Sequence, residues 1–222
     1  MLINRENQSV SDNAKPVVII GGGGHASVLI DVLKQQNRKI VGVISPDPTH
    51  DRRIYGDLDV FKSDADISRF STDDVLLVNG IGVLPGSKVR YNIQQYYAAL
   101  GFKFATVVAN SAQVSPFAEL GMGCQILHGV IIQAGAYIGN HTVVNTRAVI
   151  EHDVRLGANN FIAPGAIICG QSKTEENVFI GAGATVIQNI TLGASSSVMA
   201  NTLVTQNVLP RQKVYAPRAV VR

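Results

Sequence analysis

Glu151-His152-Asp153, an imidazole set between carboxylates, is the part of this chain best equipped for chemistry. Imidazole takes up and releases protons near neutral pH, and an adjoining carboxylate fixes its tautomer and raises its basicity. The combination suits a general base. Asn145 lies seven residues earlier and is expected on the same side of the structure. A solvated surface histidine is the alternative, and the string alone leaves both readings open.

Two further strings have the composition of ligand loops. Gly21-Gly22-Gly23-Gly24-His25-Ala26 follows the apolar run Val17 to Ile20. Glycines at a strand-to-helix turn let backbone approach a phosphate, and the N–H groups opening the helix favour its charge. Gly23, Gly24 and His25 are the candidate contacts; a tight turn without ligand is the competing account. Gly21, Gly23 and Ala26 also fit a dinucleotide pattern, although the surrounding domain is short for a complete dinucleotide fold. Val78-Asn79-Gly80-Ile81-Gly82 again ends an apolar run, where Asn79 has the chemistry to pair with sugar hydroxyls. Arg90 is expected on the solvated face of the next helix, with a phosphate contact as the other option. Asp47, after the second strand, is a candidate for a ribose or base.

These residues must be positioned by two kinds of architecture. From Val114 to Val204 every sixth residue is Ile, Leu or Val at fifteen of sixteen sites, with Thr174 as the exception. That period fits neither a helix nor a simple strand alternation. Eighteen residues, three hexapeptides, make one coil of a three-sided parallel β-helix, which buries its aliphatics by stacking on adjacent coils. The polar stretch Gln171 to Asn177 predicts a loop displaced from the coil. Before residue 110 apolar runs alternate with helix-like segments: Pro16 to Ile20, Ser27 to Gln36, Ile40 to Ile44, Asp64 to Phe70, Val75 to Val78, Ser87 to Leu100 and Phe102 to Val108. This predicts a small Rossmann-like α/β unit with a parallel sheet. The expected division is a polar tail over 1–15, the Rossmann-like unit over 16–109, the β-helix over 110–210 and a closing tail over 211–222.

Bulk properties narrow the classes. A net charge of +3 without a Lys/Arg run gives no nucleic-acid groove or membrane patch. Cys124 and Cys169 are too few for a disulfide framework and read as small buried residues of the repeat. Met1 to Lys15 lacks the apolar core of a signal peptide, and no stretch is long enough to span a bilayer, so a cytoplasmic location is expected.

Taken together, the Gly-rich loop with His25, the Val-Asn-Gly-Ile-Gly segment, the Asn145-to-Asp153 string and the hexapeptide repeat resemble the NeuD/PglD-type sugar acetyltransferases, from about Pro16 to Pro217. The resemblance implies a left-handed β-helix that forms a homotrimer, with acetyl-CoA as co-substrate in the groove between prisms, and no metal. It implies a nucleotide-linked 4-amino sugar as acceptor, held by Gly23, Gly24 and His25. His152 would deprotonate the attacking amine, Asp153 would support it, and Asn145 would contact the sugar. Gly170, Ala182 and Ala200 fall where the family lines its acetyl-CoA groove, and Pro217 sits in a variant of its terminal segment. Phe161 occupies a cofactor-side position at which many members carry a second histidine. Ser45-Pro46 stands where some members read the base with paired acids, which leaves GDP and dTDP open beside UDP.

Three other functions compete. O-acetylation of a sialic-acid-type sugar needs the same base. A zinc-dependent β-helix hydratase needs three histidines, and His128, His141 and His152 lack a close-spaced pair. A non-catalytic scaffold would bind no acetyl-CoA.

Overall fold

The computed structural model describes residues 15–47 and 52–217. Residues 1–14 of the polar tail expected over 1–15, and the last five residues, lie outside them. The described residues divide into two compact units, one ending at Asn110 and the other beginning at Ser111.

The first unit is a four-stranded parallel sheet of β1 (Val17–Ile20), β2 (Ile40–Ile44), β3 (Val60–Phe61) and β4 (Leu76–Asn79), in the order β3-β2-β1-β4. β1 is buried along its whole length, as a continuous aliphatic run in the middle of a parallel sheet must be. Its last residue, Ile20, pairs with Ile44 on one side and Asn79 on the other. The strand order therefore reverses at β1, and the loops following β1 and β4 share one sheet edge. Helix α1 (Gly24–Gln35) begins three residues earlier than the sequence predicts, because its first turn contains glycine, a poor helix former. It buries Ala26, Leu29, Ile30 and Leu33. The segment predicted as helical over Asp64 to Phe70 is a 3-10 helix, Asp64–Arg69, opened by a capping box between Ser63 and Asp66. Helix α2 (Val89–Ala99) follows the β4 loop. The predicted strand over Phe102 to Val108 is reduced to Val107–Val108 and a bridge from Phe104 to Leu77. Val18, Ile20, Ile44, Leu77, Tyr97 and Phe102 form the core.

The second unit is a left-handed parallel β-helix. Two-residue strands stack in register at an eighteen-residue spacing on three faces. Ile132, Ile150, Ile168 and Val186 share one ladder; Leu120, Ile138, Leu156, Thr174 and Leu192 share another; Ile126, Val144, Ile162, Ile180 and Val198 share the third. All point inward; Leu120, in an early coil, is part-buried, Thr174 is 7 % exposed, and the others are at most 1 % exposed. Between strands the chain turns a corner, and from Gly123 to Asn201 one residue in each corner adopts a left-handed backbone: Gly135 (φ 75°), Asp153 (φ 58°) and Gln171 (φ 63°) occupy one such column. Glycine accepts this conformation without strain, and Asn or Asp tolerates it better than most residues.

Thr174 corrects the sequence reading. No loop leaves the coil there: Lys173–Thr174 pairs in register with Arg155–Leu156 and Thr191–Leu192. The buried Thr174 Oγ1 accepts from the Gly157 N–H at 3.1 Å and from Asn160 Nδ2. Asn160 Oδ1 accepts from Val178 N–H at 2.6 Å, and Thr142 Oγ1 accepts from Asn160 N–H at 3.1 Å. A closed polar cluster replaces one aliphatic position, so the hydroxyl stays inside without an orphaned bond.

Candidate active site

Each unit contributes a cluster of the singled-out residues. In the first, the loop after β1 and the loop after β4 meet at backbone contact. Gly80 N–H donates to Ile20 O at 2.7 Å. A methyl group on Gly80 would stand 2.6 Å from Ala26 Cβ, and one on Gly21, where φ is 94°, would stand 2.6 Å from Ile81 Cδ1. Gly23 and Gly24 face open space, with nothing within 4 Å of an added Cβ. His25 lies in the first turn of α1, and a Cβ on Gly82 would be 3.8 Å from its own. The glycines are thus of two kinds: Gly21 and Gly80 permit close packing, and Gly23 and Gly24 leave an open backbone surface at a helix start.

Three side chains that the sequence reading did not single out brace this loop. Arg52 Nη1 donates to Gly22 O at 3.2 Å, Tyr55 Oη donates to Gly23 O at 3.0 Å, and Ser27 Oγ donates to Gly23 O at 3.1 Å. Arg52 and Tyr55 come from beyond β2, and no periodicity in the sequence marks them.

Asn79 and Arg90 correct two expectations. Asn79 is only 3 % exposed, and its amide is engaged within the protein: Nδ2 donates to Arg90 O at 3.2 Å, and Oδ1 accepts from Ile81 N–H at 3.1 Å. It shapes the loop where a direct hydroxyl contact was expected. Arg90 is buried where a solvated arginine was expected, with Nη1 donating to Asn79 O at 2.8 Å and Ile81 O at 2.7 Å. Burial pulls its pKa down to about 9, which still leaves it charged at neutral pH. Ser45 is buried too, and its hydroxyl donates to Asp47 O at 2.8 Å.

In the β-helix, Glu151, His152 and Asp153 form the corner after the Val149–Ile150 strand. His152 Nδ1 and Asp153 Oδ2 are 3.0 Å apart, with both side chains more than half exposed. The carboxylate only accepts, so Nδ1 carries a proton, and in the neutral ring the lone pair is then on Nε2. The glycines one coil away on either side clear room for this pair. A methyl group on Gly135 would meet Asp153 Oδ1, and Gly170 lies directly against the His152 ring. The Gly170 N–H has no acceptor among the described residues, whereas its carbonyl accepts from Asn189 N–H at 3.1 Å. Adding or subtracting one coil from 152 and 153 identifies both glycines, a signal present in the sequence.

The remaining β-helix candidates fall elsewhere on the prism. Asn145 is at the preceding corner, at the other end of the face carrying Val149–Ile150. Its Oδ1 accepts from Thr146 N–H at 2.7 Å, leaving Nδ2 without a partner among the described residues. Ala182 and Ala200 are exposed at that same corner, two and three coils further on, beyond Pro164. Phe161 lies on the face opposite the His152 corner, stacked parallel on Phe179 with centroids 5.8 Å apart. One prism therefore does not bring Phe161 to His152. The outward residues of the face between the two site corners are Gln113, Ile131, Val149, Ile167, Thr185 and Leu203, with Ile167 39 % and Leu203 62 % exposed. The next face carries Arg155, Lys173 and Thr191 outward instead.

Cys124 is fully buried, its thiol donating to Gly139 O at 3.2 Å, and burial pushes its pKa up to about 12. It is no nucleophile. Among the described residues no cluster of His, Cys, Asp and Glu is arranged to hold a metal ion, and no helix is long and apolar enough to cross a membrane.

Comparison with known proteins places both units. The PglD N-terminal domain matches residues 16–97, and the bacterial transferase hexapeptide (six repeats) matches residues 135–170. The chain is similar to the perosamine N-acetyltransferase of Caulobacter crescentus, solved as a histidine variant in complex with CoA and GDP-perosamine. The identity is 30 %, the TM-score 0.82, and the match covers 90 % of this chain and 93 % of that one. It is also similar to the acetyltransferase domain of PglB from Neisseria gonorrhoeae, solved in complex with acetyl coenzyme A, at 25 % identity and a TM-score of 0.82, over 91 % and 96 % of the two chains. A GDP-perosamine N-acetyltransferase of Escherichia coli is 26 % identical over 107 residues, 48 % of this chain and 48 % of that protein. The chain spans about half or less of the curated relatives it matches.

Proposed function

Because the chain belongs to the PglD-type sugar acetyltransferases, we propose that it transfers the acetyl group of acetyl-CoA to the amine of a nucleotide-linked 4-amino sugar. The observation that carries this reading is the exposed His152–Asp153 pair set over Gly170. His152 Nε2 takes a proton from the amine as nitrogen attacks the thioester carbonyl. The Gly170 N–H, which has no acceptor among the described residues, is the donor assigned to the oxygen that gains charge. Collapse of the tetrahedral intermediate breaks the C–S bond, and His152 returns its proton to the departing thiolate. Cys124, fully buried with its thiol pKa raised by burial, does not suit a covalent acetyl-enzyme.

The acceptor's nucleotide belongs at the β1/β4 edge, with Gly23, Gly24 and His25 as its contacts and Asn145 as the sugar contact on the β-helix. The relatives that act on GDP-perosamine make a GDP-linked amino sugar the first acceptor to try. Acetyl-CoA is assigned to Gly170, Ala182 and Ala200 through their backbone N–H groups at two corners, with Ala182 and Ala200 exposed, Gly170 buried against His152, and Phe161 outside that set in a single prism. Those corners lie at the two ends of one face, whose outward stripe of Ile131, Val149, Ile167 and Leu203 suits packing on another copy. Three-fold packing through this face would set the His152 corner of one copy beside the Ala182–Ala200 corner of the next, in a homotrimer.

The test is acetyl-CoA-dependent thiol release across UDP-, GDP- and dTDP-linked amino sugars. Release with one of them, reduced by ~10²–10⁴-fold in His152→Ala while acetyl-CoA still binds, is the expected result. Release only with a hydroxyl acceptor would move the assignment to O-acetylation. Undiminished turnover in His152→Ala would remove His152 as the base.

A further inference from the structure

Arg90 is a buried cation that the acetyl-transfer reading does not use. The buried side chains of α2 are Arg90, Gln94 and Tyr97, so its inner face turns polar toward the end that follows the β4 loop. The guanidinium reaches the carbonyls of Asn79 and Ile81, and Asn79 answers by donating to Arg90 O. Helix and loop are locked by three bonds running in both directions. Gly80, between the two gripped carbonyls, is pressed against Ala26 and Ile20 O, and Gly82 stands beside His25. Where Arg90 holds the β4 loop therefore decides how that loop meets the Gly-rich loop.

A simple turn would not need this device. Burying a guanidinium is costly unless a carboxylate or a full set of acceptors compensates it. Among the described residues no carboxylate pairs with Arg90, and both of its acceptors are neutral carbonyls. The net positive charge stays under the sheet edge, where low dielectric lets it act over a longer range than a surface lysine would. A dianionic group above that edge is the partner such a charge favours.

Resting on the nucleotide-sugar reading above, we propose that Arg90 is a positioning residue for the acceptor's diphosphate. It fixes Asn79-Gly80-Ile81-Gly82 against the loop of Gly23, Gly24 and His25, and it supplies a buried charge that favours a nucleoside diphosphate over an uncharged or singly charged ligand.

The experiment is calorimetric binding of GDP, UDP and dTDP, each beside its monophosphate, to the full chain and to Arg90→Gln and Arg90→Lys. Circular dichroism and melting curves identify which variants fold. Gln keeps a donor and loses the charge; Lys keeps the charge and loses the fork. The expected result is a loss of roughly 10- to 100-fold in diphosphate affinity for Arg90→Gln, with a smaller loss for the monophosphate. Arg90→Lys recovers part of the loss. In turnover assays KM for the nucleotide sugar rises while kcat and the KM for acetyl-CoA hold. Folded variants that bind the preferred diphosphate as the parent does would overturn the inference and leave the acetyltransferase standing. So would parallel losses in diphosphate affinity, acetyl-CoA KM and kcat, the mark of a general structural defect. A parent protein that binds no nucleoside diphosphate would overturn the nucleotide-sugar reading itself.

Discussion

The His152 ring rests on Gly170 so closely that a methyl group there would stand 2.6 Å from both Cε1 and Nε2. The Nε2 edge of the imidazole is thus placed by the absence of a side chain one coil away. Gly170→Ala must move the ring, and displacements of about 1 Å at a reacting group cost on the order of 10²-fold in rate. We expect Gly170→Ala to retain its fold and its melting temperature while kcat falls by roughly 10- to 100-fold. Gly135→Ala, which crowds Asp153, is expected to lower kcat as well. Its φ of 75° adds backbone strain of ~1 kcal/mol, so it also melts earlier. Full activity in folded Gly170→Ala would dissociate this contact from catalysis.

Thr174→Val restores the aliphatic repeat and should nevertheless destabilise the β-helix. Valine removes the oxygen that accepts from Asn160 Nδ2 and strands that buried donor, while Gly157 N–H keeps its bond to Thr174 O at 3.0 Å. The expected loss is about 1–3 kcal/mol, read as an earlier melt by circular dichroism. An unchanged or higher melting temperature would show that the cluster contributes nothing.

Tyr97 carries a pH prediction. Its buried phenol donates to Asp64 Oδ1 at 2.7 Å; burial first, and the hydrogen bond second, raise its pKa well above the ordinary value. The unfolded phenol ionises near pH ~10, whereas the folded one keeps its proton. Stability from this group is therefore complete below about pH 10 and lost as pH rises further. Urea midpoints measured between about pH 8 and 11 should fall at the alkaline end, and the fall should be shallower in Tyr97→Phe. The same alkaline slope in both proteins would exclude Tyr97 as its source.

Ile167→Asp places a charge in the middle of the exposed aliphatic face without touching His152. If that face packs on another copy, sedimentation should shift from trimer to monomer and turnover should fall with it. A parent protein that sediments as a monomer at micromolar concentration would remove the shared-groove account.

Much of the fold is legible in the sequence because the β-helix writes its geometry one residue at a time. The column Ile132, Ile150, Ile168, Val186 follows from counting in eighteens, and so does the placement of Gly170 against His152. Hydropathy alone fails where polar groups satisfy each other out of sight. Thr174 reads as a break because its partner Asn160 is fourteen residues away and equally polar. Arg90 reads as solvated because the two carbonyls that receive it belong to backbone, which no side-chain pattern reveals. Asn79 reads as a ligand contact for the same reason. The first turn of α1 is hidden by glycines that serve the loop rather than the helix.

The in-register stacking of the β-helix has a consequence for how such a chain can change length. Each inward side chain is inward by its count from the last, so the prism has a phase, much as a coding sequence has a frame. Losing one residue from a strand would turn every later aliphatic toward solvent until a compensating insertion restored the count. Gain or loss of a whole coil keeps the phase and alters only the height at which the histidine corner stands. Variation among related chains should therefore come in coil-sized steps or be confined to the corners, where an extra residue can loop outward before the next strand resumes.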